Sequence, residues 1–186
     1  MKPLVLASGS PRRKELLSQL GYSFTVLCTD VEEQRQSHED AQQYVSRLSH
    51  DKAMAGVALA ADDSVVIGSD TIVVCDQNVL EKPADLAHAK QMLLQLSGRA
   101  HQVMTAVTVA TKQQQETVVV TTDVWFKPLS ELEIEQYWQT GEPCDKAGSY
   151  AIQGLGGRFV TRIEGNYHAV VGLPLFETDQ LLHKFL

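Results

Sequence analysis

Three cysteines in 186 residues, Cys28, Cys75 and Cys144, are too few and too scattered to hold a fold together. None shares a CxxC spacing with another, and an odd, isolated set argues against a disulfide framework and against a zinc site. Long apolar runs are missing as well. No stretch reaches bilayer-spanning length, and the N-terminus has no basic region leading into an apolar one. No membrane partner and a cytosolic location are therefore expected. Basic charge is scarce: 16 Lys and Arg stand against 23 Asp and Glu, for a formal net charge of −7. That disfavours general binding to nucleic acid, which needs a basic face or stripe. It leaves room for a small polyphosphate, because a few placed cations can serve one locally. Several enzyme signatures are absent too, among them GxxxxGK(S/T), GxSxG and HExxH. His101 and His168 stand alone and read as structural rather than as ligands. No repeat, low-complexity tract or long linker divides the chain, so residues 1–186 are expected to form one domain or two closely joined lobes, of α/β class.

What is present begins at Leu4. The stretch LVLASGSPRRKELLSQLG, residues 4 to 21, reads as strand, small-residue turn and helix. Ser10 suits the N-cap and Pro11 the first helical position. Leu16, Leu17 and Leu20 fall at helical spacing, and Gly21 ends the run. A helix N-terminus behind a flexible turn offers free N–H groups and a positive dipole end to an anion. An ordinary βα unit with a solvated basic first turn is the plainer alternative. Arg12 and Arg13 oppose the dipole there, which favours the anion site.

Phe24 to Cys28 reads as a short strand, followed by the acidic Asp30-Val31-Glu32-Glu33. Ser37 with Asp40 resembles a capping box opening a helix over about 38–61. Its apolar stripe runs Ala41, Tyr44, Val45, Leu48, then Lys52, then Ala55 and Leu59, so a cation stands where an apolar residue is due. Either the Lys52 stem packs while its ammonium reaches water, or the charge points into a cleft. VVIGSDTIVV, after a turn at 61–64, is a strand apolar on both faces. Asp70 within it is costly unless paired or coordinated, or turned outward at a bulge beside Gly68. A carboxylate at that end of a sheet strand is where α/β proteins place chemistry.

Further on come a turn at Asp76-Gln77-Asn78, a short strand at Val79-Leu80, and Glu81-Lys82-Pro83 closing that edge. Asp85 caps a helix with Ala89, Met92, Leu93 and Leu96 on its apolar face. His101 to Thr111 and Thr117 to Phe126 form a hairpin. Ser130 caps a helix to about Thr140 that offers Leu132, Ile134, Tyr137 and Trp138 for packing. A loop at 145–150 and a glycine-rich one at 152–157 follow, then strands at Arg158 to Ile163 and Tyr167 to Gly172 and a C-terminal helix from Pro174.

The unusual residues are Arg12, Arg13, Glu33, Lys52, Asp70, Lys82, Lys146 and the glycines at 154–157. Two carboxylates with several cations suit a nucleoside polyphosphate and a divalent metal, the carboxylates holding Mg²⁺ or Mn²⁺ and the cations the phosphates. The run of ASGSPRRKELL, VEE at 31–33, GSDT at 68–71, LEKP at 80–83, LSGRAHQVMTAV at 96–107 and DKAGSYAIQGLGG at 145–157 resembles the Maf family across nearly the whole chain. The resemblance implies a fold related to the inosine triphosphatases, an elongated twisted mixed sheet flanked by helices, with two lobes around a cleft. It implies a nucleoside triphosphate pyrophosphatase and a homodimer.

Residue by residue, Asp70 matches the family's catalytic proton acceptor and Glu33 its partner in holding the metal. Arg13, Lys52 and Lys82 match phosphate-facing cations, and Ser8 and Ser10 the phosphate turn. Arg12, Thr71 and Gln153 match the branch acting on dTTP and UTP rather than the one acting on 7-methyl-GTP. The products expected are the nucleoside monophosphate and pyrophosphate. A nucleotide-sensing regulator, of the kind this family is associated with in septum formation, is the competing reading from another class. Asp70 on a buried strand favours the enzyme, since a sensor needs only the cations.

Overall fold

The computed structural model describes residues 2–186. In chain order it runs β1 (Leu4–Leu6), α1 (Pro11–Gln19), β2 (Thr25–Val26), α2 (Ala41–Leu59), β3 (Val65–Cys75) and β4 (Asn78–Leu80). Then come α3 (Leu86–Leu96), β5 (Ala100–Ala110), β6 (Gln115–Phe126), α4 (Glu131–Gln139), β7 (Val160–Glu164), α5 (Tyr167–Val171) and α6 (Leu175–Phe185). Three short 3₁₀ turns lie between α4 and β7. The strands form one mixed sheet in the order β2-β1-β3-β5-β6-β7, with β4 paired to β3. β1 is parallel to both β2 and β3, while β4 and β7 run antiparallel to their partners. The α/β class expected from the sequence is the class observed.

The chain divides into two compact units. The first takes the chain up to Asp70, Thr105–Val120 and Gly172–Leu186; the second takes Thr71–Met104 and Thr121–Val171. In the first, β1 is wholly buried between its two parallel neighbours, and Val5, Ala7, Val66, Ala53, Val57 and Ala110 make a small core. Helix α2 comes very close to β3. A Cβ on Gly68 would lie 2.3 Å from the Ser49 carbonyl oxygen and 2.5 Å from the Ala53 nitrogen, and one on Gly56 2.7 Å from Val66 Cγ1. Glycine is needed at these crossings because helix and strand leave no room for a methyl. The Ser49 hydroxyl seals the contact, donating to the Gly68 carbonyl at 3.2 Å and lying 2.9 Å from Thr108 Oγ1.

The second unit buries the apolar face of α3 (Ala89, Met92, Leu93, Leu96) as its spacing requires. Its aromatic centre is His101, Phe126 and Tyr150, packed edge to face at centroid separations of 4.7–5.4 Å. His101 is buried, its Nε2 lies 2.6 Å from the Tyr150 hydroxyl, and burial pulls its pKa down to about 4. It is a neutral core side chain.

Some expected elements are displaced. The box opening α2 is Asp40 with Gln43 rather than Ser37 with Asp40: the Asp40 carboxylate accepts the Gln43 N–H at 2.7 Å, and the Gln43 side chain accepts the Asp40 N–H at 2.9 Å. Beyond Leu48 the buried stripe of α2 steps to Ser49, Ala53, Gly56 and Val57, leaving Leu59 67 % exposed. Small residues are buried there because the close approach selects them. The strand expected at 24–28 shrinks to Thr25–Val26, and the one expected at 158–163 starts at Val160 behind a 3₁₀ turn. Leu132 points outward, 62 % exposed, while Ile134 and Tyr137 pack. The segment expected as a strand at 167–172 is helix α5. Asn166 caps it, its side chain accepting the Ala169 N–H at 3.0 Å and its carbonyl that of Val170 at 3.3 Å. Those bonds outweigh the β-preference of Val170 and Val171.

Replacing Gly68 with alanine should therefore lever α2 off the sheet. A loss of about 3 kcal/mol in urea unfolding is expected. Unchanged stability would mean that the crossing has slack.

Candidate active site

The turn after β1 forms as its sequence dictates. Ser10 is the N-cap of α1, with its hydroxyl accepting the Arg13 N–H at 3.4 Å and Pro11 in the first turn. The buried Ser8 hydroxyl accepts the Ser10 N–H at 3.2 Å and shapes the turn from within. Arg12 and Arg13 then leave the first turn of α1 half-buried. Arg13 Nε donates to the Gly172 carbonyl at 2.8 Å, and the Ser69 hydroxyl donates to that same oxygen at 3.3 Å. One carbonyl thus ties α1, β3 and the start of the C-terminal segment together. Burial lowers the Arg13 pKa, the charge of Asp70 works against that loss, neighbouring Arg12 adds to it, and Glu33 opposes it.

Lys52 is the centre of the site. Its Nζ lies 2.7 Å from Asp70 Oδ1 and 2.8 Å from Glu33 Oε1, and its side chain is 14 % exposed. Of the two readings open for it, the charge is turned inward onto carboxylates. Asp70 is itself 6 % exposed, so it is not the outward aspartate of a bulge. Burial raises its pKa, the charges of Lys52 and Arg13 and the Lys52 hydrogen bond hold it down, and Glu33 pushes it up again. The result is a carboxylate that binds a proton more tightly than an exposed one.

Ser8, Ser10, Arg12, Arg13, Glu33, Lys52 and Asp70 all belong to the first unit. Thr71, Lys82 and Gln153 belong to the second. Thr71 follows Asp70 on β3 and is half-buried, whereas Lys82 and Gln153 are exposed on loops. The Lys82 loop is held by the Glu81 carbonyl, which accepts the Gly148 N–H at 3.3 Å. Lys146 is paired with Asp145. The glycine-rich loop is already satisfied: the Leu155 and Gly156 N–H groups donate to the Glu142 carboxylate at 2.9 and 3.1 Å. Its glycines shape a 3₁₀ turn, and these two amides are not open to phosphate.

The sequence reading passed over the residues that hold the acidic loop. Arg47 on α2 binds both carboxylate oxygens of Glu39 and donates to the Gln34 carbonyl at 2.9 Å. The Tyr44 hydroxyl donates to the Glu33 carbonyl at 3.1 Å. The sequence marks Tyr44 only as one residue of the apolar stripe. Glu39 and Arg47 lie eight apart with the start of a helix between them, a spacing that no helical rule would pair.

Residues 3–185 match the family of Maf-like proteins. The chain belongs to the Maf family. Among its Maf relatives, the dTTP/UTP pyrophosphatase of Vibrio parahaemolyticus is 72% identical over 98% of this chain and 97% of that one. The dTTP/UTP pyrophosphatase of Shigella boydii is 59% identical over 100% of this chain and 94% of that one. Among solved structures, the Staphylococcus aureus Ham1 protein is similar over 67% of this chain and 72% of that one, at 16% identity and a TM-score of 0.49. No helix among the described residues of this Maf chain is long and apolar enough to cross a membrane. Nor does any cluster of three or more His, Cys, Asp or Glu suited to a metal ion occur among them. What converges is the pair Glu33 and Asp70, both already on one cation. A Mg²⁺ site commonly needs only one or two carboxylates, with phosphate oxygens and water completing the shell, so this donor set fits such an ion.

The Glu39–Arg47 pair predicts an acid sensitivity. Hydrogen bonding from Arg47 holds the Glu39 pKa down at about 2, below its ordinary 4.5, despite the opposing effect of burial. A carboxylate whose folded pKa is depressed stabilises the fold fully above its unfolded pKa and loses that contribution as pH falls toward the folded value. Urea midpoints should therefore drop between 4.5 and about 2 in the wild type. Glu39→Gln should start lower and lose less over that interval; an equal slope would show that Glu39 is not among the groups responsible.

Proposed function

We propose that the chain hydrolyses dTTP and UTP to the nucleoside monophosphate and pyrophosphate. The observation that carries this is Lys52 held between Glu33 and Asp70, in the same compact unit as the α1 N-terminus and its two arginines. Two carboxylates around an ammonium are a cation site, and an arginine-flanked helix start is an anion site. Together they suit a metal-bearing triphosphate. The names of relatives such as those of Vibrio parahaemolyticus and Shigella boydii support the choice of bases.

In this reading Asp70 orients the attacking water and takes its proton, helped by the raised basicity that burial gives it. Attack at the α-phosphorus breaks the bond to the β-phosphate oxygen, so negative charge develops on the departing pyrophosphate. Arg13, Lys52, Lys82 and the first-turn amides of α1, shaped by Ser8 and Ser10, stabilise that charge. Glu33 and Asp70 would hold Mg²⁺ or Mn²⁺, which would polarise phosphate oxygens and neutralise their charge. Arg12, Thr71 and Gln153 select the base; the Gln153 amide offers one donor side and one acceptor side to a pyrimidine edge. A cytosolic homodimer is part of the same proposal.

Asp70→Asn should abolish pyrophosphate release from dTTP with Mn²⁺ present; near-wild-type turnover would overturn the assignment. Arg13→Ala should depress activity on every nucleotide in a panel of dTTP, UTP, CTP and 7-methyl-GTP, whereas Arg12→Ala should reorder the panel. A wild-type preference for 7-methyl-GTP would overturn the reading of Arg12, Thr71 and Gln153.

A further inference from the structure

Glu33 lies in a stretch, residues 27–40, that contains no helix or strand. Regular secondary structure therefore does not set the direction of a side chain that must meet Lys52 at 2.8 Å. What fixes the stretch is two residues one turn apart on α2. The Tyr44 hydroxyl donates to the carbonyl of Glu33 itself at 3.1 Å, and Arg47 donates to the next carbonyl, Gln34, at 2.9 Å. Arg47 is in turn locked by Glu39 on one side and by Asp51 Oδ2 at 3.2 Å on the other, and its guanidinium lies 5.7 Å from the Tyr44 ring centroid. Tyr44 is 1 % exposed, so its hydroxyl is presented from a side chain that packing holds still.

We infer that Tyr44 and Arg47 are positioning residues that act through Glu33, a role resting on the proposed reading of Glu33 and Asp70 as site carboxylates. Two consecutive carbonyls clamped from one rigid helix set both the place and the twist of the peptide after Glu33. Lys52 stands five residues beyond Arg47 on that same helix. The clamp and the ammonium that Glu33 must reach thus share one frame, and Glu33 stays in register with Lys52 without any strand beneath it. Preorganisation of this kind lowers what must be ordered when substrate arrives.

The test is a coupling measurement on the full-length protein. Values of kcat and KM for dTTP with Mn²⁺ are compared for wild type, Tyr44→Phe, Glu33→Gln and the double variant, each with its urea midpoint. Phenylalanine keeps the buried ring and removes only the hydroxyl, so folding should survive. In the wild-type background kcat should fall about fivefold, as for one lost hydrogen bond, with KM changing far less. In the Glu33→Gln background the same change should cost nothing further, because the group it orients is already gone. Arg47→Lys, which keeps charge near Glu39 but cannot hold two oxygens of Glu39 and the Gln34 carbonyl together, should behave alike.

Losses that multiply in the double variants, or fall in step with the urea midpoint in both backgrounds, would reduce the pair to ordinary structural residues and overturn the inference. So would unchanged kcat in Tyr44→Phe. If Glu33→Gln alone left kcat intact, the site reading would fall and this inference with it, an outcome distinct from multiplied losses.

Discussion

The site depends on how closely helix α2 approaches strand β3. Gly68 has no side chain because the Ser49 carbonyl and the Ala53 nitrogen already occupy that space. Residues on one face of a strand recur every second position, so Val66, Gly68 and Asp70 all face α2. Gly56 meets Val66, Ser49 and Ala53 meet Gly68, and Lys52 meets Asp70. A lysine on a helix at ordinary packing distance from a sheet would reach past the strand or out to water. Here the backbones are close enough that its ammonium ends beside a strand carboxylate. The same closeness buries Asp70 and thereby raises its proton affinity. One missing methyl therefore governs both the geometry and the electrostatics.

Burying these charges is expensive, and the arrangement works only because each is answered. Asp70 is opposed by Lys52 and Arg13, and Arg13 in turn is steadied by Asp70 and Glu33. Removing one partner from such a set leaves an uncompensated buried charge, which costs far more than the net worth of the pair. Arg13 has a further hold in the Gly172 carbonyl, which fixes its Nε and constrains where the rest of the guanidinium can lie. The glycine-rich loop follows the opposite logic: its Leu155 and Gly156 amides are answered internally by Glu142, which removes them from the binding inventory.

Most of the fold was legible because local signals agreed with the tertiary outcome. Ser10 and Pro11 mark the start of α1, Asp85 that of α3 and Ser130 that of α4, and in each case the capping side chain does what its chemistry allows. Lys52 was legible as an anomaly, a cation in an apolar stripe, although the stripe could not tell which way the charge would turn. The failures have physical causes. Asn166 could as well have begun a turn between strands, and only its bonds to Ala169 and Val170 decide for helix. The α2 stripe drifts after Leu48 because close packing, not hydrophobicity, selects Ser49, Ala53 and Gly56. Glu39 and Arg47 meet by a fold-back of irregular chain, for which sequence has no period to read.

The choice of lysine at position 52 follows from the same geometry. Two carboxylates, from a strand and from an irregular loop, lie 2.7 and 2.8 Å from a single nitrogen. An ammonium is a compact charge with three donors and can serve two acceptors at once from one point. A guanidinium spreads its charge over a planar fork and favours bidentate contact with one carboxylate, so arginine here would hold Asp70 or Glu33 well and the other poorly. Its larger head would also have to fit where α2 and β3 have already excluded a methyl two residues away. The two carboxylates would then be pushed apart and would no longer converge on one small charge. The lysine therefore contributes shape as much as charge: it keeps the two carboxylates converged on a point the size of an ion.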